Sequence, residues 1–176
     1  FVNDKLAPED KTMIMTSSGT TGRPKLMYLS KNYLANTVLS AEHAYGLTAE
    51  EIAIGLVPPQ HIMGIALPFS MFYLGGTIYL VDEFNPVTIL KKIDQHKATV
   101  SMIAPFALSI LADLHDPKKF NISSFMKCIS GGSPLSKDLY NKVKEKMNMP
   151  LFEAYGSIET SLTTFKRDDG SYQDNL

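Results

Sequence analysis

Short apolar segments alternate with helix-like segments along most of this chain. Apolar, β-rich runs of strand length recur, and the stretches between them have helical spacing or helix-capping residues. The strand candidates lie near 12–16, 52–57, 77–81, 99–104, 127–130 and 151–155. The helix candidates lie near 30–45, 62–74, after Asn85-Pro86, and near 105–114 and 136–147. This order predicts an α/β fold with a mainly parallel sheet and helices on its faces.

Size and charge exclude several classes of protein. One domain is the default for 176 residues, and a net charge of −1 gives no electrostatic case for nucleic acid or an anionic membrane. Cys128 is the only cysteine, so an intramolecular disulfide framework and a Cys-rich metal site are excluded. We expect Cys128 to be a buried small hydrophobe and the protein to be cytoplasmic. The charged start shows no signal peptide, and Phe1 in place of Met predicts a piece of a longer protein.

Residues 61–81 contain no Asp, Glu, Lys or Arg, and that length can span a bilayer. Gly75 and Gly76 interrupt the run, and the β-rich segment TIYLV follows them. Acidic residues flank its end at Asp82 and Glu83, without a Lys/Arg cluster. We therefore expect a core helix, a turn and a buried strand, with a membrane span as the alternative.

A loop rich in Ser, Thr and Gly follows the first strand candidate. Thr16 to Lys25 reads TSSGTTGRPK, and a helix candidate begins at Ser30. Backbone N–H groups and hydroxyls in such a loop can surround a phosphate, with Lys25 as a point charge. Pro24 before the lysine and Leu26 after it exclude a Walker A motif. A flexible surface loop is the alternative interpretation.

Two further loops follow strand candidates. Residues 129–135 read ISGGSPL, where paired glycines allow close backbone approach to a flat ligand and Ser133-Pro134 would start a helix. Residues 155–159 read YGSIE, where an aromatic ring could stack on a base and a carboxylate could hold a hard cation. Ligands in parallel sheets lie beyond the carboxyl ends of strands. The alternatives are an ordinary turn for the first, and a buried Tyr, a turn Gly and a helix-start Glu for the second.

Together and in this order, TTGRPK, SGGSPL and YGSIE resemble the signatures of the adenylate-forming, or AMP-binding, superfamily. That superfamily holds acyl- and aryl-CoA ligases, luciferases and peptide-synthetase adenylation domains. The resemblance implies that residues 1–176 are a fragment of the large N-terminal domain, without the mobile C-terminal domain. It implies a parent ligase that uses ATP and Mg²⁺ to convert a small carboxylic acid to an acyl-adenylate and then transfers the acyl group to coenzyme A. The isolated fragment is expected to be inactive.

The resemblance also implies roles for individual residues. The phosphate-binding residues would be Thr16, Ser17, Ser18, Gly19, Thr20, Thr21, Gly22 and Lys25. Gly131, Gly132, Ser133 and Tyr155 would line the adenine pocket, Gly156 would border the acyl site, and Ser157 would complete the nucleotide-binding set. Glu159 and Thr20 would bind Mg²⁺, and the catalytic set would be Lys25, Thr20, Glu159 and His61. His61 lies in PPQHIMG, which resembles a family segment between the acyl pocket and the pantetheine tunnel; a structural histidine is the alternative.

Two positions depart from the family pattern. Leu26 stands where the family usually has Gly, and Ile158 stands where it has a Thr whose hydroxyl contacts the nucleotide phosphate. These departures leave a degenerate nucleotide-binding module as an alternative. Amino-acid adenylation is a second alternative, but residues 61–71 lack the acid that usually holds a substrate ammonium. Luciferase-type chemistry on the same scaffold is a third.

Overall fold

The computed structural model describes residues 7–17 and 24–166 of the chain. Within these ranges, strands and helices alternate after an initial pair of strands. The strands are β1 (Lys11–Ser17), β2 (Lys25–Ser30), β3 (Ile52–Gly55), β4 (Thr77–Leu80), β5 (Val100–Ile103), β6 (Lys127–Gly131), β7 (Leu151–Ser157) and β8 (Ser161–Lys166). The helices are α1 (Lys31–Tyr45), α2 (Ile62–Leu74), α3 (Pro86–His96), α4 (Pro105–Leu114) and α5 (Lys137–Met147).

The main sheet has six strands in the order β4-β3-β5-β6-β7-β8. Its first five strands are parallel, and β8 is antiparallel to β7. One face packs against α1 and α2 through residues such as Ala41 and Met71, and the other packs against α3, α4 and α5. Cys128 is buried in β6, as predicted, and this burial raises the pKa of its thiol. The predicted α/β fold with a mainly parallel sheet is confirmed.

Helix ends are set by local chemistry that the sequence indicates. The Ser30 hydroxyl accepts a hydrogen bond of 3.1 Å from the Tyr33 backbone N–H, which caps α1. Gly46 ends the same helix with a φ of +58°, a conformation that glycine adopts at little cost. Asn85 caps α3 in the same way, by accepting from the Thr88 backbone N–H at 3.0 Å. The predicted boundaries of these helices are confirmed.

The uncharged stretch 61–81 is a core helix, a turn and a strand, as predicted, but the strand is not buried: β4 lies at the edge of the sheet, and Leu80 is 63% exposed. α2 has 13 residues, which corresponds to about 20 Å of helix against a bilayer core of about 30 Å. It ends at Gly75, whose φ of +79° redirects the chain into β4. No helix in the described ranges is long and apolar enough to cross a membrane.

The setting predicted for the first motif is wrong in one respect. The loop after β1 does not lead directly into a helix, because β2 returns antiparallel to β1 and places Lys25 opposite Ser17. The loop therefore closes a β-hairpin, and this hairpin forms a two-stranded sheet separate from the six-stranded one. Helix α1 begins only at Lys31, after the second strand.

The ends of the other two motifs also differ from the prediction. β7 continues past Tyr155 to Ser157, and β8 starts at Ser161, so no helix begins at Glu159. Ser133 and Pro134 do not start α5, which begins at Lys137. Its cap is the Ser136 hydroxyl, which accepts from the Leu139 backbone N–H at 3.2 Å.

A buried polar network joins the amino ends of the central parallel strands. Glu51 is 6% exposed and forms an ion pair with Lys127. The Lys127 ammonium also donates to the Gly46 carbonyl at 2.9 Å, and the Thr99 hydroxyl donates to the Glu51 carboxylate. The network ties the start of β3 to the starts of β5 and β6. The network lies at the amino ends of the parallel strands, whereas the glycine-rich loop after β6 and the turn after β7 lie at their carboxyl ends.

Tyr45 has a buried hydroxyl with no hydrogen-bond partner among the described residues. Its ring packs edge-on against Phe152 and Phe165, with centroid distances of 5.9 and 5.5 Å. Because an unsatisfied buried polar group costs about 1–3 kcal/mol, Tyr45→Phe is expected to leave stability unchanged or to raise it. The urea midpoint of the protein that carries this chain checks this expectation. A clearly lower midpoint for Tyr45→Phe would contradict it.

Candidate functional site

The loop after β6 exposes bare backbone where the second motif was predicted to approach a ligand. A Cβ added to Gly131 would lie 2.9 Å from the Ala154 carbonyl oxygen and 3.0 Å from the Met63 sulfur. Gly132 has a φ of +87°, which residues with a Cβ rarely adopt. Gly132 and Ser133 are both exposed to solvent. Their backbone groups are therefore accessible to a ligand at the carboxyl end of β6.

The third motif spans the end of β7 and the turn that follows it, with Tyr155 and Glu159 exposed. The Tyr155 side chain is 65% exposed, which rules out the buried-tyrosine interpretation of YGSIE. A Cβ on Gly156 would lie only 2.1 Å from the Ser161 carbonyl oxygen, so this position requires glycine. β6 and β7 are neighbours, with Gly131 opposite Ala154. The second and third motifs therefore lie side by side at the same edge of the sheet.

Glu159 lies exposed in this turn, and its surroundings favour the ionised carboxylate. A hydrogen bond from the Ser157 side chain, a second from its own backbone N–H and the positive charge of Lys25 hold the pKa of Glu159 below its usual value. The positive charge of Lys25 makes the smallest of these contributions. An exposed, ionised carboxylate suits binding of a divalent metal that also carries phosphates.

A small apolar cluster explains why the hairpin and the turn are neighbours. Met15 of β1, Leu29 of β2 and Ile65 of α2 are buried together, and Ile158 packs against them. The isoleucine that departs from the family pattern is thus a packing residue of this cluster. Its side chain fastens the turn to the hairpin and offers no hydroxyl to a ligand.

The described ends of the first motif face each other across the hairpin. Thr16 pairs with Leu26 and Ser17 pairs with Lys25, and the side chains of Thr16, Lys25 and Leu26 are exposed. Leu26 is 65% exposed at the strand edge. The remaining predicted phosphate-loop residues lie outside the described ranges; they are Ser18, Gly19, Thr20, Thr21 and Gly22.

His61 is the N-cap residue of α2, and its side chain is exposed and makes no capping hydrogen bond. The following glycine has a structural cause, since a Cβ on Gly64 would lie 2.0 Å from the Pro58 carbonyl oxygen. Two residues after His61, Met63 reaches the space above Gly131. The contact between Met63 and Gly131 places the start of α2 near the loop after β6. The chemical role of His61 stays a prediction.

Three further hydroxyl residues around the turn were missed from the sequence. Thr160 Oγ1 lies 3.1 Å from Ser157 Oγ and accepts from the Ser157 backbone N–H at 3.3 Å. Tyr33 and Thr37 of α1 bond to the same turn from its other side. Thr160 follows Glu159 directly, which was an available signal. Tyr33 and Thr37 are four residues apart and share a helix face, but only the tertiary structure identifies what that face contacts.

The oxygen-rich chemistry around Glu159 fits a magnesium ion. Among the described residues there is no cluster of three or more His, Cys, Asp or Glu side chains that could hold a metal alone. Mg²⁺ commonly takes one or two carboxylates and completes its shell with water and substrate phosphates. An ionised Glu159 beside the Ser157 and Thr160 hydroxyls matches that donor set.

The sequence is similar to CoA ligases over almost its whole length. A long-chain-fatty-acid–CoA ligase from Bacillus subtilis is 34% identical over 166 residues, covering 91% of this chain and 29% of the relative. A 2-succinylbenzoate–CoA ligase from Enterococcus faecalis is 31% identical over 153 residues, covering 86% of this chain and 31% of the relative. The chain thus spans about three-tenths of the length of these curated relatives.

Solved structures agree with this similarity. Apo MatB from Rhodopseudomonas palustris superposes with a TM-score of 0.86 at 26% identity, covering 98% of this chain and 34% of that one. A luciferase-like enzyme from the nonluminescent mealworm Zophobas morio gives a TM-score of 0.83 at 25% identity, covering 96% and 40%. The family model described as AMP-binding enzyme matches residues 2–175. With a family model matched over residues 2–175 and CoA-ligase relatives more than 30% identical, this chain belongs to the family of AMP-binding enzymes.

Proposed function

We propose that this chain is part of the large N-terminal domain of a longer acid–CoA ligase. The parent protein would join a carboxylic acid to AMP, using ATP, and then transfer the acyl group to coenzyme A. The observation that carries the proposal is the placement of the exposed backbone after β6 beside the Glu159 turn after β7, with Ile158 of that turn packed against the hairpin that carries Lys25. The named activities of the relatives from B. subtilis and E. faecalis support the same reaction class. A cytoplasmic location stays a prediction.

The nucleotide would bind along the edge where the three motifs meet. Gly131, Gly132 and Ser133 would offer backbone groups to adenine, while the exposed Tyr155 ring stacks on it beside Gly156 and Ser157. The hairpin loop with Lys25 would hold the phosphates, through Thr16, Ser17 and the predicted loop residues Ser18, Gly19, Thr20, Thr21 and Gly22. Similarity to MatB, which is also solved with ATP bound, supports this placement.

Adenylation joins two anions, so the site must offset their repulsion. An oxygen of the acid carboxylate attacks the α-phosphorus of ATP, and the bond to the leaving pyrophosphate breaks. Lys25 would stabilise the charge that develops on the phosphate oxygens. Glu159, with Thr20 as a second candidate, would hold Mg²⁺, which when bound neutralises phosphate charge. A thiolate of coenzyme A then attacks the acyl carbon, and AMP leaves.

The start of α2 supports an apolar acid as substrate. His61 and the exposed residues 58–60 before α2 would lie between the acyl site and the path of the thiol. From Ile62 to Met71 the helix carries no charged side chain, and Met63 lies against Gly131. A substrate ammonium would find no carboxylate in this segment, which favours aliphatic or aromatic acids over amino acids.

ATP–pyrophosphate exchange by the full-length protein tests the proposal. We expect exchange that depends on an apolar carboxylic acid, followed by thioester formation when coenzyme A is added. Mg-ATP binding without exchange for any acid would instead support a nucleotide-binding module. Exchange stimulated by amino acids alone would support an amino-acid adenylation domain. The isolated 1–176 chain is expected to show no exchange, because it would lack groups needed to position the attack.

A further inference from the structure

Two side chains of α1 hold the β7–β8 turn on either side of Glu159. The Tyr33 hydroxyl donates a hydrogen bond of 2.7 Å to the Ile158 carbonyl oxygen, just before Glu159. Thr37 Oγ1 lies 2.6 Å from Ser161 Oγ, just after Thr160. These bonds connect residues more than a hundred positions apart in sequence, and Thr37 and Ser161 are buried.

The direction of the second bond follows from the donors available. Thr37 has one hydroxyl hydrogen, and it donates to the Tyr33 carbonyl at 2.9 Å. The Ser161 side chain therefore has its own hydrogen for the helix, and it bonds to Tyr33 as well as to Thr37. This chain of bonds runs from the backbone of α1 through Thr37 into the first residue of β8.

The turn has a shape that needs such support. Ser161 has a φ of +61°, a left-handed conformation that residues with a Cβ seldom adopt. The register between β7 and β8 shifts at Tyr155 and Gly156, and Gly156 is in very close contact with the Ser161 backbone. Without the bonds from α1, the turn would have less strained shapes available to it.

We infer that Tyr33 and Thr37 are positioning residues, which fix the Glu159 carboxylate where it can meet the metal bound to a nucleotide. This inference rests on the proposed function of the site. Neither side chain needs to touch ATP or the metal, because both act through the turn. A carboxylate held in this position would favour binding of a nucleotide that carries a divalent cation over binding of the nucleotide alone.

ATP binding with and without Mg²⁺ separates positioning from general folding. Calorimetric titration of the full-length protein with ATP, in Mg²⁺ and in EDTA, gives the gain in affinity that the metal supplies. Losing one hydrogen bond predicts that Tyr33→Phe and Thr37→Val each reduce this gain about fivefold. ATP affinity in EDTA is expected to stay at the wild-type value. Thr37→Ser, which keeps the hydroxyl, is expected to retain the gain.

Tyr45→Phe is the matched control, since it makes the same change on the same helix at a hydroxyl without a partner among the described residues. We expect it to leave both affinities unchanged. Glu159→Gln is the reference for complete loss of the carboxylate. If Glu159→Gln leaves the metal-dependent gain intact, the role proposed for Glu159 is wrong, and the inference fails with it.

If Glu159→Gln removes the gain while Tyr33→Phe and Thr37→Val keep it, the inference alone is overturned. Equal weakening of ATP in Mg²⁺ and in EDTA would also overturn it, by assigning both residues a purely structural role. If Thr37→Val does not fold, Tyr33→Phe decides the question, because it removes a single oxygen from a half-buried ring.

Discussion

Lys25→Ala is expected to slow the adenylation half-reaction of the full-length protein by about a hundredfold to a thousandfold. Removing one donor aimed at developing charge typically costs that much in enzymes that stabilise transition states electrostatically. Lys25 is exposed at the start of β2, opposite Ser17 and at the end of the proposed phosphate loop. ATP–pyrophosphate exchange at saturating ATP measures the effect. Thioester formation from a supplied acyl-adenylate should suffer far less, because pyrophosphate has already left.

Lys11→Ala is a matched control for this prediction. Lys11 lies on β1 of the same hairpin, where its ammonium is 4.5 Å from the centre of the Tyr28 ring. The substitution removes the same charge from the same sheet, at the end of β1 far from the loop. We expect exchange to continue near the wild-type rate. Similar losses for Lys11→Ala and Lys25→Ala would mean that net charge, and not the position of Lys25, governs the reaction.

Lys127→Met is expected to lower the free energy of unfolding by about 3–5 kcal/mol, because it strands the buried Glu51 carboxylate without its ion-pair partner. The Glu51 and Lys127 side chains are 7% and 22% exposed, so solvent screens the pair little. Urea unfolding of the protein that carries this chain measures the loss. Below the unfolding transition, ATP affinity should be unchanged, because the network lies at the opposite edge of the sheet from the motifs.

Two comparisons test whether the unpaired Glu51 carboxylate causes the loss of stability in Lys127→Met. Lys97→Met removes a lysine from the exposed Lys97–Asp94 pair, whose side chains are 60% and 31% exposed, and should cost at most about 1 kcal/mol. The double substitution Glu51→Leu with Lys127→Met should recover much of the single loss, since neither charge is then stranded. A double variant less stable than Lys127→Met would show that Glu51 supports the sheet through other contacts.

Segments with strong local signals could be predicted from sequence. Residues 61–81 combine an absence of charge with a glycine pair, and the helix, turn and strand follow directly. β2 and β8 could not be found this way. In KLMYLS, Leu26 and Tyr28 face solvent while Leu29 is buried, so the strand is defined mainly by pairing with β1. The hydroxyl-rich β8 depends on β7 in the same manner.

In the candidate site, too, residues with a local sequence signal could be predicted, and contacts that depend on tertiary packing could not. Gly131 and Gly156 could be identified from the sequence, because a position where a Cβ would clash with its neighbours requires glycine. The packing of Ile158 against the hairpin could not be predicted, since it depends on how β1, β2, α2 and the turn come together in the tertiary structure. Tyr33 and Thr37 gave no signal either, because a tyrosine and a threonine on a helix face are common wherever helices pack.

The hairpin that carries the phosphate loop has a consequence for cooperativity. Two strands alone are marginally stable in water, and within the described ranges β1 and β2 pair only with each other. Their order therefore depends on the contacts of Met15 and Leu29 with Ile65 and Ile158. Local unfolding of the hairpin would expose Ile158, and release of the turn would expose the hairpin core. We expect the amides of β2 and of the β7–β8 turn to exchange hydrogen through one shared opening, so that the hairpin strands and this turn unfold locally as a single unit.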